Sequence, residues 1–150
     1  MLEAGVVQAL QDLAAAAASV LEPQPLAQLA TDHALRLLNA DTSVLYWWAD
    51  APARLRALAY SGRAEPRPPN WLRPGQGMAG QAFVQHESII VDDYPSWEHA
   101  MAGALERGTA SAVAVPLVIG RRGVGAWIVG SQTPRAFTPQ DITALTVLAA

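Results

Sequence analysis

The stretch SAVAVPLVIGRRGVGAWIVGSQ, residues 111–132, consists of two apolar runs joined by a short turn with a glycine at each end. Alternation along the first run places Val113 and Val115 on one face of a strand and Ala114 on the other. Because both faces are apolar, we predict a strand pair inside a sheet that is covered on both sides. Pro116 has no N–H for a strand ladder, so its position should be a sheet edge or a bulge.

The segments before this pair alternate between helix and strand signals. In LRPGQGMAGQAF (72–83), glycines flank the start of a helix predicted over 76–85, and a short strand follows at 88–91. The carboxylates and proline of DDYP (92–95) end that strand. Ser96 is then expected to cap a helix that ends at Gly108 and has three apolar residues on one face, namely Trp97, Met101 and Leu105.

The segment AFTPQDI (136–142) carries the signature of a helix start. Thr138 is the expected cap, Pro139 the first helical residue, and Asp141 the reciprocal partner three positions on. The chain stops at Ala150 inside this helix, which we interpret as the end of a fragment of a larger protein.

The N-terminal third is predicted to hold two helices and a hairpin. A helix over 1–21 has a 4-3-4 apolar spacing that fits either packing on its own domain or a dimer, and both readings stay open. The second helix has one apolar stripe, made of Leu26, Leu29, Ala30, His33, Leu37 and Leu38. Strands follow at 42–48 and 54–60, the latter with Leu55, Ala57 and Ala59 on one face.

Composition limits the class of protein. The 150 residues are 51% hydrophobic with a formal charge of −3, which fits one domain over 1–150 and predicts no nucleic-acid partner. No stretch reaches the length of a membrane span, and no basic segment marks a secretion signal, so we expect a cytoplasmic protein without membrane insertion. Cysteine is absent, which excludes disulfides and thiolate chemistry from this chain.

The order of these motifs resembles the GAF domain, a small sensory module of bacterial signalling proteins. The resemblance covers the whole chain and is most specific after Leu72. It implies an α+β fold, an α/β/α sandwich whose central antiparallel sheet has about six strands. The N- and C-terminal helices would cover one face, and shorter helices and loops the other. The residues that carry it are Gly75, Gly77, Gly80, Ile90, Val91, Asp92, Ser111, Val115, Pro116, Leu117, Gly123, Gly125, Phe137, Thr138 and Asp141.

The resemblance implies a non-catalytic sensory domain. A small molecule would bind between the sheet and the shorter helices, and the terminal helices would relay the signal to a fused output domain such as a kinase or a cyclic di-nucleotide enzyme. A homodimer through the terminal helices goes with this role. The alternative is a structural module that dimerises a neighbouring domain and binds nothing. An enzyme is disfavoured because no activated nucleophile or acid–base pair can be assembled.

The ligand site is predicted from the resemblance and from polar groups among apolar ones. Its proposed residues are Tyr46, Trp48, Tyr94, Trp97, His99, Met101, Ser111 and Val113. Trp97 and Met101 fit simple core filling at least as well. His99 is the one histidine placed to reach the cavity, where some relatives bind haem, but a single ligand gives no ground to expect haem.

No metal site is predicted, since the adjacent Asp92 and Asp93 fit a turn better. The ligand's identity stays open. Covalent bilin attachment and methionine-sulfoxide reduction, which rely on cysteine in other members, have no cysteine here. The glycines of 75–80 match G-x-G-x-x-G but follow no strand, so we interpret them as a tight turn rather than a dinucleotide site.

Overall fold

A six-stranded antiparallel sheet forms the centre of the fold. The computed structural model describes residues 5–11, 24–50, 53–62 and 71–149. The strands are β1 (Thr42–Asp50), β2 (Ala53–Gly62), β3 (Trp71–Leu72), β4 (Ile89–Val91), β5 (Ser111–Ile119) and β6 (Arg122–Ser131). They lie in the order β3-β2-β1-β6-β5-β4, which confirms the predicted antiparallel sheet. Only the two-residue β3 has no counterpart among the strands predicted from sequence pattern.

Helices cover both faces of this sheet. They are α1 (Gln24–Leu37), α2 (Gly77–Gln85), α3 (Ala102–Glu106) and α4 (Pro139–Ala149), with a 3-10 turn at Tyr94–Ser96. Helices α1 and α4 pack on one face, here called the terminal-helix face, and α2 packs on the opposite, short-helix face. The predicted sandwich is confirmed. No helix in the described part of the chain is both long and apolar enough to cross a membrane.

The terminal-helix face is a closely packed core. Its strand residues include Leu45, Val113, Val115 and Trp127, and they pack against Ala34 of α1 and Leu145 of α4. Trp127 is fully buried, and its indole Nε1 donates a hydrogen bond of 2.9 Å to Ser43 Oγ. Because the polar group of the largest buried side chain is satisfied, this face combines apolar burial with a paired hydrogen-bond donor.

Pro116 lies where the sheet has an open edge. The register of β4 with β5 runs from Val91 opposite Ala112 to Ile89 opposite Ala114, so β4 ends before it reaches Pro116. The missing N–H therefore removes no hydrogen bond with β4. The predicted edge position is confirmed.

The buried side of α1 differs from the prediction. Small residues face the sheet, with Ala27, Ala30, Thr31 and Ala34 buried, whereas Leu29, His33 and Leu37 are exposed. The predicted leucine stripe with a packed histidine is therefore wrong. Two contacts with β2 fix this rotation. Ser61 Oγ donates 2.9 Å to Thr31 Oγ1, and Gln28 Nε2 donates 2.6 Å to the Tyr60 carbonyl.

A bulge in β2 changes which residues of this strand share a face, contrary to the prediction. The register steps from Leu45 opposite Ala59 to Tyr46 opposite Ala57, which leaves Leu58 without a partner. One extra residue reverses the alternation beyond it. Leu55 therefore packs on the short-helix face and Ala59 on the terminal-helix face, so the single apolar face predicted for this strand is wrong.

The first and last helical segments can be compared with the sequence signals over their described residues. Residues 5–11 are helical, and Val6 packs against the core of the terminal-helix face. The 4-3-4 apolar spacing predicted for the first helix continues from Leu13 onwards, outside the described residues. A dimer through this helix therefore stays a prediction. At α4, the Thr138 N–H donates 2.8 Å to Asp141 Oδ2, which forms one half of the predicted capping box, whereas the Asp141 N–H donates 3.0 Å to the Thr138 carbonyl rather than to its hydroxyl.

Candidate functional site

A cavity of about 390 Å³ lies on the short-helix face, between the sheet and the segment that connects β4 to β5. Its volume is in the range of small-molecule sites, roughly 300–1,000 Å³. Its apolar walls include Val44, Met78, Met101, Ala112 and Ile128, and its polar lining comprises Thr42, Tyr46, Gln76, Tyr94, Glu106, Arg107 and Thr109. Mostly apolar walls with a few convergent polar groups are typical of a ligand site.

The space arises from the alternation of large and small residues in β5. Val113 and Val115 fill the terminal-helix face, whereas Ala112 and Ala114 lie on the short-helix face. Gly130 of the neighbouring β6 also lines the cavity. The sheet therefore presents little side-chain volume beneath the connecting segment, and a cavity remains.

Glycines of the 75–80 turn bring α2 against the cavity wall. Gly77 has φ +65°, and a Cβ added there would lie 2.6 Å from Met101 Sδ. A Cβ on Gly80 would lie 3.0 Å from the Arg73 carbonyl oxygen. These glycines serve a tight turn and close packing, as predicted. With an antiparallel sheet, the parallel unit of a dinucleotide fold is absent from the described residues.

The roof of the cavity is not the helix predicted to begin at Ser96. Trp97 and Met101 have extended backbones, and only Ala102–Glu106 is helical, with Leu105 exposed. The buried Tyr94 accounts for this shape, because its hydroxyl accepts the Met101 N–H at 2.9 Å and holds an irregular loop in place. The shared face predicted for Trp97, Met101 and Leu105 is wrong.

Arg107 supplies the cavity's positive charge. It follows α3 directly, and its backbone is held on both sides, since its N–H donates 3.2 Å to Gly103 and its carbonyl accepts 3.2 Å from Gln132 Nε2. A Cβ on Gly103 would lie 3.6 Å from Arg107 Nη2, an ordinary contact distance, which places the guanidinium group beside α3. The anchored backbone places the charge at the cavity.

Two tyrosine hydroxyls share this environment. Burial raises the pKa of Tyr46 to about 12, while the nearby Arg107 charge opposes the rise and Tyr94 adds to it. Burial also raises the pKa of Tyr94, against the opposing effects of the Met101 N–H and of Arg107. Both hydroxyls therefore stay protonated at neutral pH and remain hydrogen-bond donors.

The structure brings three of the eight predicted site residues to the cavity, namely Tyr46, Tyr94 and Met101. Trp48 is on the correct face but stacks on Phe83 with ring centroids 5.0 Å apart. Trp97 packs against the edge of the short-helix core and contacts His99, whose side chain is 51% exposed and lies 3.2 Å from Glu98. His99 does not face the cavity.

Ser111 and Val113 lie on the wrong side of the sheet for this site. Val113 is buried in the terminal-helix core. Ser111 Oγ donates 2.6 Å to the Thr133 carbonyl and accepts the Ala136 N–H at 3.2 Å, so it holds the loop before α4. Their placement at the cavity was wrong because alternation assigns residues to two faces but does not say which face carries the cavity.

Arg107 was the main residue that sequence reasoning missed. It is the only arginine or lysine between Arg73 and Arg121, which was the available signal. An isolated cation in an otherwise apolar and acidic segment is a reasonable site residue. Ala112 and Met78 were also missed, and the alternation of β5 could have indicated the former.

Asp92 and Asp93 lie directly after β4, at the start of the segment that leads to β5. Among the described residues, no group of three or more side chains of the metal-binding types is clustered. Asp93 Oδ2 accepts 2.8 Å from Ser96 Oγ, and the Asp92 carbonyl accepts 3.0 Å from the Arg135 N–H. These contacts agree with the turn role predicted for the two carboxylates.

Comparison with known proteins identifies the fold independently. The chain is similar in structure to the type II free methionine-R-sulfoxide reductase of Thermoplasma acidophilum, with a TM-score of 0.75 and 20% identity over 85% of this chain and 86% of the other. It is equally similar to a GAF sensor protein of Burkholderia vietnamiensis, with a TM-score of 0.75 and 19% identity over 98% and 90%.

A further similar structure is the GAF domain of an Acinetobacter phosphoenolpyruvate-protein phosphotransferase, with a TM-score of 0.73 and 15% identity over 100% of this chain and 89% of the other. These identities show a shared fold only. A search of curated proteins gave no match. The GAF domain family model matches residues 20–150, most of the sequence. The chain belongs to the GAF domain family.

Proposed function

We propose that this domain is a non-catalytic sensory or regulatory module that binds a small molecule in the cavity of the short-helix face. The observation that carries the proposal is the 390 Å³ cavity, in which the Arg107 guanidinium and two tyrosine hydroxyls meet mostly apolar walls. Neither Trp97 nor Trp127 fills the cavity, because Trp127 lies on the opposite face and Trp97 does not line the space. Met101 forms part of the wall and leaves the volume open.

The proposed mechanism uses the sheet as the link between ligand and output. Ala112 lines the cavity, and its neighbours Val113 and Val115 pack on α1 and α4 from the other face. A ligand shifts the arrangement of the terminal helices only to the extent that it binds one arrangement more tightly. We expect the output domain of the parent protein to be connected through these helices.

Native mass spectrometry of protein purified from its own host tests this proposal. We expect the wild type to retain a small molecule and Ala104→Phe to lose it, because Ala104 is half-buried and lines the cavity. Leu105→Phe is the matched control, since Leu105 is exposed on the same helix and does not line the cavity. Equal retention by all three proteins, or retention by none, would reject the proposal.

Two structural relatives are methionine sulfoxide reductases, from Thermoplasma acidophilum and Neisseria meningitidis. This chain has no cysteine, so it offers no thiol for the cysteine-dependent reduction of methionine sulfoxide that the family resemblance implies for such members. We therefore propose binding without turnover. Thiol-dependent loss of free methionine sulfoxide in the presence of this domain alone would contradict that choice.

The second candidate function is a dimerisation module that binds nothing. The observation in its favour is the exposed apolar surface of the terminal helices, with Leu29 61%, Leu37 55% and Val147 37% exposed. Sedimentation of the wild type beside Leu29→Glu/Leu37→Glu tests it, with the equally exposed Val84→Glu of α2 as control. A dimer that only the double variant dissociates would support it, and a wild-type monomer at high concentration would exclude it.

A further inference from the structure

Arg107 and Glu106 are the charged residues of the described cavity lining. The side chain of Arg107 is half-buried and lines the cavity, yet no ion pair joins it to a carboxylate within the part of the chain that the structure describes. Glu106, the acidic residue of the described lining, is exposed to solvent, which screens its charge more than that of the half-buried Arg107. A partly desolvated cation without a counterion is unfavourable, so an anion that enters the cavity gains the interaction that the protein does not supply.

The neighbouring hydroxyls are also arranged to donate. The Tyr46 hydroxyl has no hydrogen-bond partner among the described residues, although Tyr46 lies largely inside the fold. The Tyr94 hydroxyl already accepts the Met101 N–H, which leaves its own proton for another acceptor. Both hydroxyls and the Arg107 guanidinium group can donate hydrogen bonds beside the same cavity, so together they favour a ligand group that accepts them.

We infer that the cavity takes a small organic monocarboxylate, whose carboxylate group binds Arg107 and accepts a hydrogen bond from Tyr46 or Tyr94. The inference rests on the proposed function and names the ligand class for the same site. A planar guanidinium group matches a planar carboxylate through two parallel hydrogen bonds. A single cation matches a single negative charge, while Met78, Met101 and Ile128 would contact the apolar body of the ligand.

Calorimetric titration with 3-phenylpropionate and its neutral amide, 3-phenylpropanamide, tests the inference at neutral pH. The two probes have the same shape and differ in charge and in the donor that the amide adds. We expect the acid to bind about tenfold or more tightly than the amide, as a hydrogen-bonded charge pair requires. Equal binding of the two probes, or no binding of the acid in the millimolar range, overturns the inference.

Variants assign the preference to Arg107. In Arg107→Gln, the advantage of the acid over the amide should disappear, while Arg121→Gln should keep it, because Arg121 is exposed in the β5–β6 turn and its loss changes the net charge equally. The unfolding temperature of each variant shows that it is folded. An acid preference that survives in Arg107→Gln overturns the assignment.

The outcomes also separate this inference from the proposed function. If the amide binds as tightly as the acid and Ala104→Phe abolishes both, the cavity is a ligand site but not one for carboxylates. If a molecule retained from the host carries no acidic group, the proposed function stands and the inference falls. If neither probe binds and the native protein retains nothing, both fall.

Discussion

The two faces of the sheet are both apolar but differ in how closely they are packed. On the terminal-helix face, Trp127, Val113 and Leu145 are fully buried, and none of them lines the cavity. On the short-helix face, β5 presents the small side chains of Ala112 and Ala114, and an irregular loop lies above them. We expect the first face to contribute more to stability, whereas the second leaves a partly open cavity lined by several polar groups.

The difference explains how one small domain can be both stable and receptive. A loosely filled face is tolerable only if the other face supplies enough buried apolar area, since each buried large side chain contributes about 1.5–3 kcal/mol. Substitutions on the two faces should therefore differ in their effects on stability and on binding. Single substitutions on each face can test that division.

Trp127→Ala should lower the free energy of unfolding by about 3–5 kcal/mol, because it removes a fully buried indole and leaves Ser43 without its partner. Met101→Ala on the cavity wall should cost less, about 1–2 kcal/mol, since Met101 is half-buried beside existing space. Urea denaturation followed by circular dichroism measures both. Equal losses would mean that the two faces contribute alike.

Gly125→Ala should destabilise the fold by roughly 1–3 kcal/mol. A Cβ at Gly125 would lie 2.1 Å from the Tyr46 carbonyl oxygen, a backbone atom that cannot move without disturbing β1. Gly123→Ala is the matched control in the same strand, because its nearest contact would be 3.4 Å from a Phe83 ring carbon. The same denaturation experiment compares them. A control as damaging as Gly125→Ala would show that strand glycines matter for another reason.

Alkaline pH should separate wild type from Tyr46→Phe. The unfolded tyrosine loses its proton near pH 10, whereas the folded pKa is about 12, so the unfolded state binds fewer protons between these values. The stabilising effect of burial on the neutral hydroxyl is present below pH 10 and is lost as the pH rises toward 12. The wild type should lose up to about 1.4 kcal/mol per pH unit more than the variant in this window.

The measurement is the free energy of unfolding at a series of pH values above 9. The two proteins differ only at residue 46, so the difference between the two curves reports Tyr46. Parallel curves would contradict the buried position assigned to its hydroxyl.

Asp141→Ala should give the smallest effect, about 0.5–1 kcal/mol, because it removes the acceptor of the Thr138 N–H at the start of α4. Gln140→Ala, in the same exposed turn, should be close to neutral. Thermal unfolding monitored by circular dichroism resolves the two, and ligand binding should be unchanged in both. A loss of binding in Asp141→Ala would instead tie the cavity to this helix end.

Local signals predicted much of the fold. The start of α4 could be predicted because its cap, proline and carboxylate are within four residues of one another. The hairpin of β5 and β6 was equally accessible, since the turn after Gly120 and the alternation of both strands are local signals, although the register shift between Leu117 and Val118 was not predicted. The edge position of Pro116 followed from its missing N–H alone.

Features set by distant contacts could not be predicted. The rotation of α1 depends on Ser61, which is 30 residues from Thr31, and this contact overrides the leucine pattern. The bulge at Leu58 is visible only in the register with β1. The site itself was predicted only in part, because Arg107 reaches the cavity through an irregular loop whose shape depends on one tyrosine hydroxyl.

Methyl NMR on protein labelled at methionine and leucine tests the division between the two faces most directly. On addition of the small-molecule extract of the native host, the signals of Met78 and Met101 at the cavity should move most, while that of Leu145 in the opposite core should move less, as the relay to α4 is indirect. Unchanged cavity signals, or shifts at Leu145 that exceed those at Met78 and Met101, would contradict the account.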